Sequence, residues 1–318
     1  VEILIVDNLL SSQRENVPDD PRVAFLRGSI ASDAVLREIG RDFHHVFHLA
    51  TYHGNQSSIH DPLADHANNT LTTLRLFHHL AGAPGLRSLV YSSAGCTVAR
   101  KTFGRAAATT EDAPLSLEQD SPYAISKVVG EFYAVYFHRR HGLPAVRVRF
   151  QNVYGPGEIL GAGRWRGTPA TVWRNVVPVF VYHALHGRPL PLEGGGRASR
   201  DFIHVDDICR GLVAAALRGK GGKVYNLASG QETTIRRLAE TVNRLTGNRA
   251  GLTILPRRSW DRAGHRYGST ARASRALGFA ARVGLEEGLA GTVAWTRDNL
   301  PLIEACIRKH RRRLAAGG

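Results

Sequence analysis

Five short runs of largely apolar, β-branched residues set the limits on what this chain can fold into: VEILIV (1–6), VAFLRGSI (23–30), HHVFHLA (44–50), SLVYSS (88–93) and AVRVRF (145–150). Near-continuous apolar runs bounded by turn residues read as strands buried on both faces, the habit of parallel sheets. Parallel strands need long crossover connections, and the intervening chain supplies helical spacing over roughly 61–82 and again from residue 121. The expected fold is α/β: a doubly wound, mostly parallel sheet followed by a smaller mixed α/β lobe.

The 318 residues suit one large α/β domain, or a large and a small one. No run approaches the ~20 apolar residues that span a bilayer, and no charged-then-apolar leader precedes a cleavage site, so no membrane partner is expected. Cys96, Cys209 and Cys306 are odd in number and widely spaced, which speaks against a disulfide framework or a metal site and for a reducing cytoplasm. A formal charge of +15 admits nucleic acid, an anionic surface or small anionic substrates as partners. Of 42 basic residues only five are lysine, and the arginines are scattered. RKHRRR (308–313) is the one dense cluster, at a terminus, with no nucleic-acid-reading motif beside it; nucleic acid is not expected.

The stretch that carries chemistry is SPYAISK (121–127). Tyr123 and Lys127 are four apart at the head of a helical pattern, so phenol and ammonium lie on one face. A tyrosine titrates near ~10 in isolation, and a cation held beside it favours the phenolate. Such a pair can take a proton from an alcohol while hydride leaves the same carbon. Tyr and Lys also fall at this spacing on many solvated helices, so the pair needs company to mean anything.

Company is present. IVDNL (5–9), VFHLA (46–50), NNTLTTLRL (68–76), LVYSS (89–93), RFQNVYGPGE (149–158), RNVVP (174–178), RDFIHVDD (200–207), YNLASG (225–230), RRSWD (257–261) and LEEGL (285–289) occur in one order around SPYAISK. With them the chain resembles the extended short-chain dehydrogenase/reductases that act on nucleotide sugars, the epimerase and dehydratase family. The resemblance covers nearly the whole chain. It implies a Rossmann-type NAD-binding domain over 1–155. It also implies a lobe over 156–318 that mainly binds the nucleotide sugar, with some segments returning to the first domain, and a homodimer. The family's first strand and Gly-x-x-Gly-x-x-Gly turn are not in this sequence, which also contains no methionine. Further residues ahead of Val1 are expected, since a Rossmann sheet would otherwise lose a central member.

The same resemblance implies roles for single residues. Asp7 and Asn8 end a strand where relatives hold the adenosine ribose; a capping aspartate is the alternative. Ser29 stands where relatives carry an adenine-binding aspartate. Leu49 and Ala50 close a strand at the cofactor edge, and Asn68 matches a cofactor-facing asparagine. His53 stands where UDP-galactose 4-epimerase has a lysine reaching toward the cofactor, or is a solvated loop histidine. Tyr123 and Lys127 are the catalytic pair, Lys127 also holding the cofactor ribose. Ser93 is taken as the hydroxyl that bonds the reacting sugar oxygen, although the strictest register puts Ala94 there and Thr97 is a further candidate. Asn152, Arg174, Asn175, Val176, Arg200, Arg258 and Asp261 are implied contacts of the nucleotide sugar, Arg200 and Arg258 on its diphosphate. Asp206 and Asp207 read as caps of the helix that follows.

The reaction expected is NAD-dependent epimerisation of a nucleotide-linked sugar at its fourth carbon, by transient oxidation to a keto-sugar. Dehydratases carry Asp-Glu just after the catalytic hydroxyl; Gly95 and Cys96 align there, which argues against dehydration. A nucleotide-hexuronate decarboxylase, a dehydratase and a catalytically silent dinucleotide-binding sensor are the alternatives. Arg164, Arg166 and Arg174, beside Trp165 and Trp173, combine guanidinium forks with flat rings suited to an anionic sugar such as a hexuronate. Service to the diphosphate, or exposure to solvent, is the plainer reading of these arginines.

Overall fold

The computed structural model describes residues 1–95, 106–259 and 264–316. In chain order the elements begin with β1 (Ile3–Asp7), β2 (Val23–Arg27), α1 (Asp33–Ile39), β3 (His45–His48), α2 (Asn55–His60) and α3 (Pro62–Asp65). A π-helical turn, His66–Thr70, joins α3 to α4 (Leu71–Leu80). There follow β4 (Ser88–Ala94), β5 (Ala108–Thr109), α5 (Pro122–His141), β6 (Ala145–Phe150), β7 (Asn152–Tyr154), α6 (Val176–Leu185) and β8 (Leu190–Glu193). Next are β9 (Ser199–Arg200), β10 (Phe202–His204), α7 (Val205–Arg218), β11 (Val224–Leu227), β12 (Thr233–Thr234), α8 (Ile235–Thr246) and β13 (Leu252–Leu255). β14 (Tyr267–Gly268), α9 (Ala271–Leu277), α10 (Leu285–Asp298), α11 (Leu300–Arg308) and α12 (Arg311–Ala316) complete the chain.

Four strands form one parallel sheet in the order β11-β6-β4-β3. β1 and β2 pair in parallel as a second block. β4, at the centre, is buried from Ser88 through Ser93. On one side Leu89 and Tyr91 pack with Leu76, Phe77 and Leu80 of α4 and with Ala134 and Phe137 of α5. On the other, Val90, Val146 and Val148 pack with Ile208, Leu212 and Ala215 of α7 and with Ala273 and Leu277 of α9. Helices therefore cover both faces, as expected of a doubly wound sheet. A third cluster, centred on Phe180, Leu190, Leu192, Leu238 and Leu289, holds α6, α8 and α10 around β8.

α5 carries the site, and its sequence explains its ends. Ser121 accepts from the Ala124 N–H at 3.2 Å, Pro122 opens the first turn, and Gly142 closes the helix at φ 65°. His138, Arg139, Arg140 and His141 fill the last turn, where the helix dipole favours cations. Midway, Gly130 lets α5 lie against β4, since a Cβ there would overlap the Tyr91 hydroxyl.

A buried carboxylate ties the second half together. Asp201 accepts from Ser229 N–H and Oγ (2.8 and 2.6 Å), from Gly230 N–H (3.0 Å) and from Gly268 N–H (3.2 Å). The expected caps of α7 are corrected here: the His204 side chain accepts from the Asp206 N–H. Asp207, fully buried, instead accepts from the N–H groups of Arg282 and Val283 at 2.8 and 3.0 Å.

Candidate active site

Tyr123 sits in the first turn of α5, and its N–H donates to Ser58 Oγ at 3.1 Å. Ser121 Oγ donates to Asn55 Oδ1 at 2.8 Å, so α2 pins the start of α5 twice. Lys127, 5% exposed, donates from Nζ to the Ser92 carbonyl at 2.9 Å. Its ammonium lies 5.7 Å from the Tyr123 ring centroid and 5.5 Å from that of Tyr91. The structure thus brings together the pair that the spacing proposed, with a buried cation beside the phenol.

Ser93, expected to bond the reacting sugar oxygen, turns its hydroxyl hydrogen toward the protein. Its Oγ donates to Glu131 Oε1 at 2.6 Å. Arg149 grips the same carboxylate through Nε and Nη2, both at 2.8 Å, and Arg147 Nη1 adds a contact at 3.2 Å. A serine has one hydrogen to donate, and this one is taken. Ala94 brings no hydroxyl, and Thr97 lies outside the described residues. Nothing in the sequence singles out Glu131 except its spacing, four residues after Lys127 and so on the face of Tyr123 and Lys127.

Of the residues expected at the cofactor, Asp7, Asn8, Ser29, Leu49 and Ala50 lie at or just past the carboxyl ends of β1, β2 and β3, the ends at which open α/β sheets bind dinucleotides. Asp7 Oδ1 accepts from Leu9 N–H at 2.6 Å and Ser12 Oγ at 2.9 Å; Asn8 Oδ1 accepts from Leu10 N–H at 2.9 Å. These bonds hold a turn in which Leu9 takes φ 54°. Ser29 Oγ accepts from Ala31 N–H just past β2, at 3.2 Å. Leu49 and Ala50 follow β3 and are exposed. Asn68 donates to the Ala64 carbonyl of its own helical turn. Its neighbour Asn69, buried, holds the loop after β3 through Tyr52 N–H (2.6 Å) and the Tyr52 carbonyl (3.2 Å), and donates to Asp65 at 2.7 Å.

Across from the pair, the His53 ring centroid lies 6.3 Å from that of Tyr123, and His53 Nε2 meets Asn175 Oδ1 at 3.3 Å. Burial, with Arg174 adding, pushes His53 down to about 3, so its imidazole is neutral at physiological pH. Asn175 donates to Glu158, which Arg174 Nε faces at 3.6 Å, and Val176 starts α6. Asn152 opens β7. Arg200 Nη1 donates to the Ser199 and Gly264 carbonyls at 2.7 and 2.9 Å, and Arg258 Nε pairs with the Glu193 carboxylate at 2.5 Å. Asp261 lies outside the described residues. Among the described residues no group of three or more His, Cys, Asp or Glu could hold a metal ion, and no helix is long and apolar enough to cross a membrane.

Lys127, buried against the central strand and four residues from Tyr123, is one signature; the match of residues 1–228 to the NAD dependent epimerase/dehydratase family decides the matter. The chain belongs to that family. Its structure superposes on the Bordetella bronchiseptica enzyme WbmF, crystallised with NAD+ and UDP, at a TM-score of 0.89 and 55% identity, covering 99% of this chain and 90% of that one. It is 31% identical to a UDP-glucose 4-epimerase of Mycolicibacterium smegmatis (92% of this chain, 90% of the relative). It is 32% identical to a dTDP-glucose 4,6-dehydratase of Streptomyces antibioticus (89% and 79%). Like other members of the epimerase/dehydratase family, the protein is an enzyme that uses NAD. The Asp7 carboxylate ends β1, and the Lys127 ammonium of α5 meets the Ser92 carbonyl of β4; the two can respectively accept from and donate to hydroxyl groups.

Proposed function

We propose that the enzyme epimerises a nucleotide-linked sugar at its fourth carbon through a transient 4-keto-sugar. Bound NAD supplies the hydride acceptor and, on return, the donor. Tyr123 takes the proton of the 4-hydroxyl as that carbon is oxidised and gives it back when the carbon is reduced from its other face. Lys127 holds the nicotinamide ribose and favours the phenolate. Asn152, Asn175, the Val176 N–H, Arg174, Arg200, Arg258 and Asp261 are proposed contacts of the nucleotide diphosphate and sugar, and Asp7, Asn8, Ser29, Leu49, Ala50, His53 and Asn68 of NAD.

The observation that carries epimerisation over dehydration is the lack of an acid at Gly95, on the turn after β4. A Cβ at this position would come within 2.6 Å of Gln151 Cδ and Oε1. Dehydratases need an acidic side chain on this turn to remove water across the fifth and sixth carbons, and here Gly95 faces the Gln151 amide instead. Incubation with UDP-, dTDP- and GDP-sugars, followed by mass spectrometry and NMR, tests the reading. A product of unchanged mass with inverted configuration at the fourth carbon is expected; one eighteen mass units lighter than substrate would refute it.

A second copy of the chain is the proposed partner. α5 leaves Ile125, Phe132 and Tyr136 exposed along one side. Its last turn is basic, while Glu118 and Asp120 precede its first, so two antiparallel copies would bring opposite charges together. Phe132→Asp should convert the species seen by light scattering to a monomer. The proposed division of labour is cofactor binding over 1–155 and sugar binding mainly over 156–318, with α7 and β11 returning to the first sheet. The proposed compartment is the cytoplasm, in keeping with the free thiols of Cys209 and Cys306.

A further inference from the structure

Arg166 is 4% exposed, yet no carboxylate among the described residues lies within ion-pairing distance of it. Its Nη1 donates to Ser11 Oγ at 3.2 Å, whereas Nε and Nη2 meet no acceptor among the described residues. Those two nitrogens form the edge of the guanidinium whose parallel N–H bonds fit the two oxygens of a carboxylate. The same chain contains the occupied form of this fork, in which Arg149 Nε and Nη2 each reach one oxygen of Glu131 at 2.8 Å. Burial, with the Arg174 cation adding, pushes Arg166 down to about 10, which still leaves it charged at neutral pH. A desolvated cation without a counter-ion is costly, so the position calls for an anion.

The surroundings say which part of a ligand that anion belongs to. Arg174 Nη1 donates to the Ser11 carbonyl at 3.2 Å, so two guanidinium groups flank one residue. Glu158 faces Arg174 alone of the two, and Asn175 donates to it. From Asn175 the contacts run to His53 and on to the Tyr123 ring. Ser11, Arg174, Asn175 and His53 thus link the open fork to the base that works on the fourth carbon, and in a hexopyranose the sixth carbon is two bonds from the fourth.

We infer that Arg166, backed by Arg174, binds the carboxylate of a hexuronate, so that the substrate is a nucleotide-linked sugar acid and not a neutral hexose. This rests on the epimerase reading above. The wider arginine-tryptophan group expected from the sequence is narrowed accordingly. Arg164 is exposed on the same loop, Trp165 packs on His310, and Trp173 packs on Tyr182 and His183.

Binding is measured by calorimetry on the NAD-loaded Tyr123→Phe variant, whose base is removed, with UDP-glucuronate, UDP-glucose and UDP. UDP-glucuronate is expected to bind at least about tenfold more tightly than UDP-glucose. Arg166→Met, added to Tyr123→Phe, should erase that preference while changing the affinities for UDP and NAD less than about twofold. Equal binding of the two sugars, a preference for UDP-glucose, or binding of neither overturns the inference. So does a loss of NAD affinity in the Arg166→Met variant with the sugar preference intact, which would assign the fork to the cofactor diphosphate. Should Arg166→Met not fold, Arg166→Lys keeps the charge without the fork and is expected to lose most of the preference; full retention overturns the assignment. Turnover of the native enzyme is followed separately. A preference for UDP-glucuronate in binding, with no epimerised product from either sugar, would count against the epimerase reading and leave the carboxylate site standing.

Discussion

Ser93 on β4 donates its hydroxyl hydrogen to Glu131 on α5 at 2.6 Å, joining the two elements that position Tyr123 and Lys127. With Arg149 and Arg147 on the same carboxylate, the bond fixes the rotation of α5 about its own axis relative to the sheet. The face bearing the catalytic pair is set eight residues downstream of Tyr123.

Ser93→Ala is accordingly expected to act on stability more than on chemistry. Loss of a buried bond to a carboxylate should lower the unfolding free energy by about 1–3 kcal/mol, read from urea denaturation, with kcat within about tenfold of native. A hundredfold fall in kcat at unchanged stability would return Ser93 to the role of sugar-bonding hydroxyl.

Tyr123→Phe should lower kcat by roughly 10²–10⁴-fold, the usual worth of a positioned acid–base group, while NAD still binds. The measurement is turnover on whichever nucleotide sugar proves to be the substrate, alongside a cofactor titration. Near-native turnover would mean that the base is another residue.

Much of this site was legible because it is local. Tyr123 and Lys127 need only helical spacing to meet, and the strand runs announced themselves by β-branched continuity. What escaped depends on the third dimension. The Glu131 cluster draws Ser93, Arg147 and Arg149 from two other strands, and no spacing rule links them. Asn69, beside the cofactor candidate Asn68, ties down the loop after β3, where a π-helical turn interrupts the simple 3.6-residue period. The arginines after Pro156 read as one group in the sequence, yet burial separates Arg166 and Arg174 from exposed Arg164.

Gly130→Ala offers a test in which two general rules disagree. Helix propensity favours alanine by about 1 kcal/mol, but the added methyl would overlap the Tyr91 hydroxyl. Overpacking of this kind costs about 1–3 kcal/mol, so net destabilisation is expected, partly relieved by Tyr91→Phe in the same chain. A more stable Gly130→Ala protein in urea would show that α5 does not lie so close to β4.

Acid should weaken the fold through His48. Burial, with Lys127 adding, pushes this histidine down to about 3 from the ordinary 6.5. Between those values the unfolded chain takes up a proton that the folded chain refuses. Stability is therefore full above about pH 6.5 and falls as pH drops, by up to about 1.4 kcal/mol per pH unit from this group. Urea midpoints at pH 7.5, 6.5 and 5.5 should decline, and less steeply in His48→Asn; equal slopes for the two proteins would remove His48 as the cause.

The carboxylate of Asp201 bears on the order in which the chain assembles. Its partners are supplied by Ser229, Gly230 and Gly268, the last 67 residues away. No one of these segments can satisfy it alone, so the knot can close only after β10, β11 and β14 have all found their places. These bonds are expected to form late in folding, after the sheet is built. The amide hydrogens of Ser229, Gly230 and Gly268 should then exchange with solvent in a single correlated opening, so that the three report one gate in the folded chain.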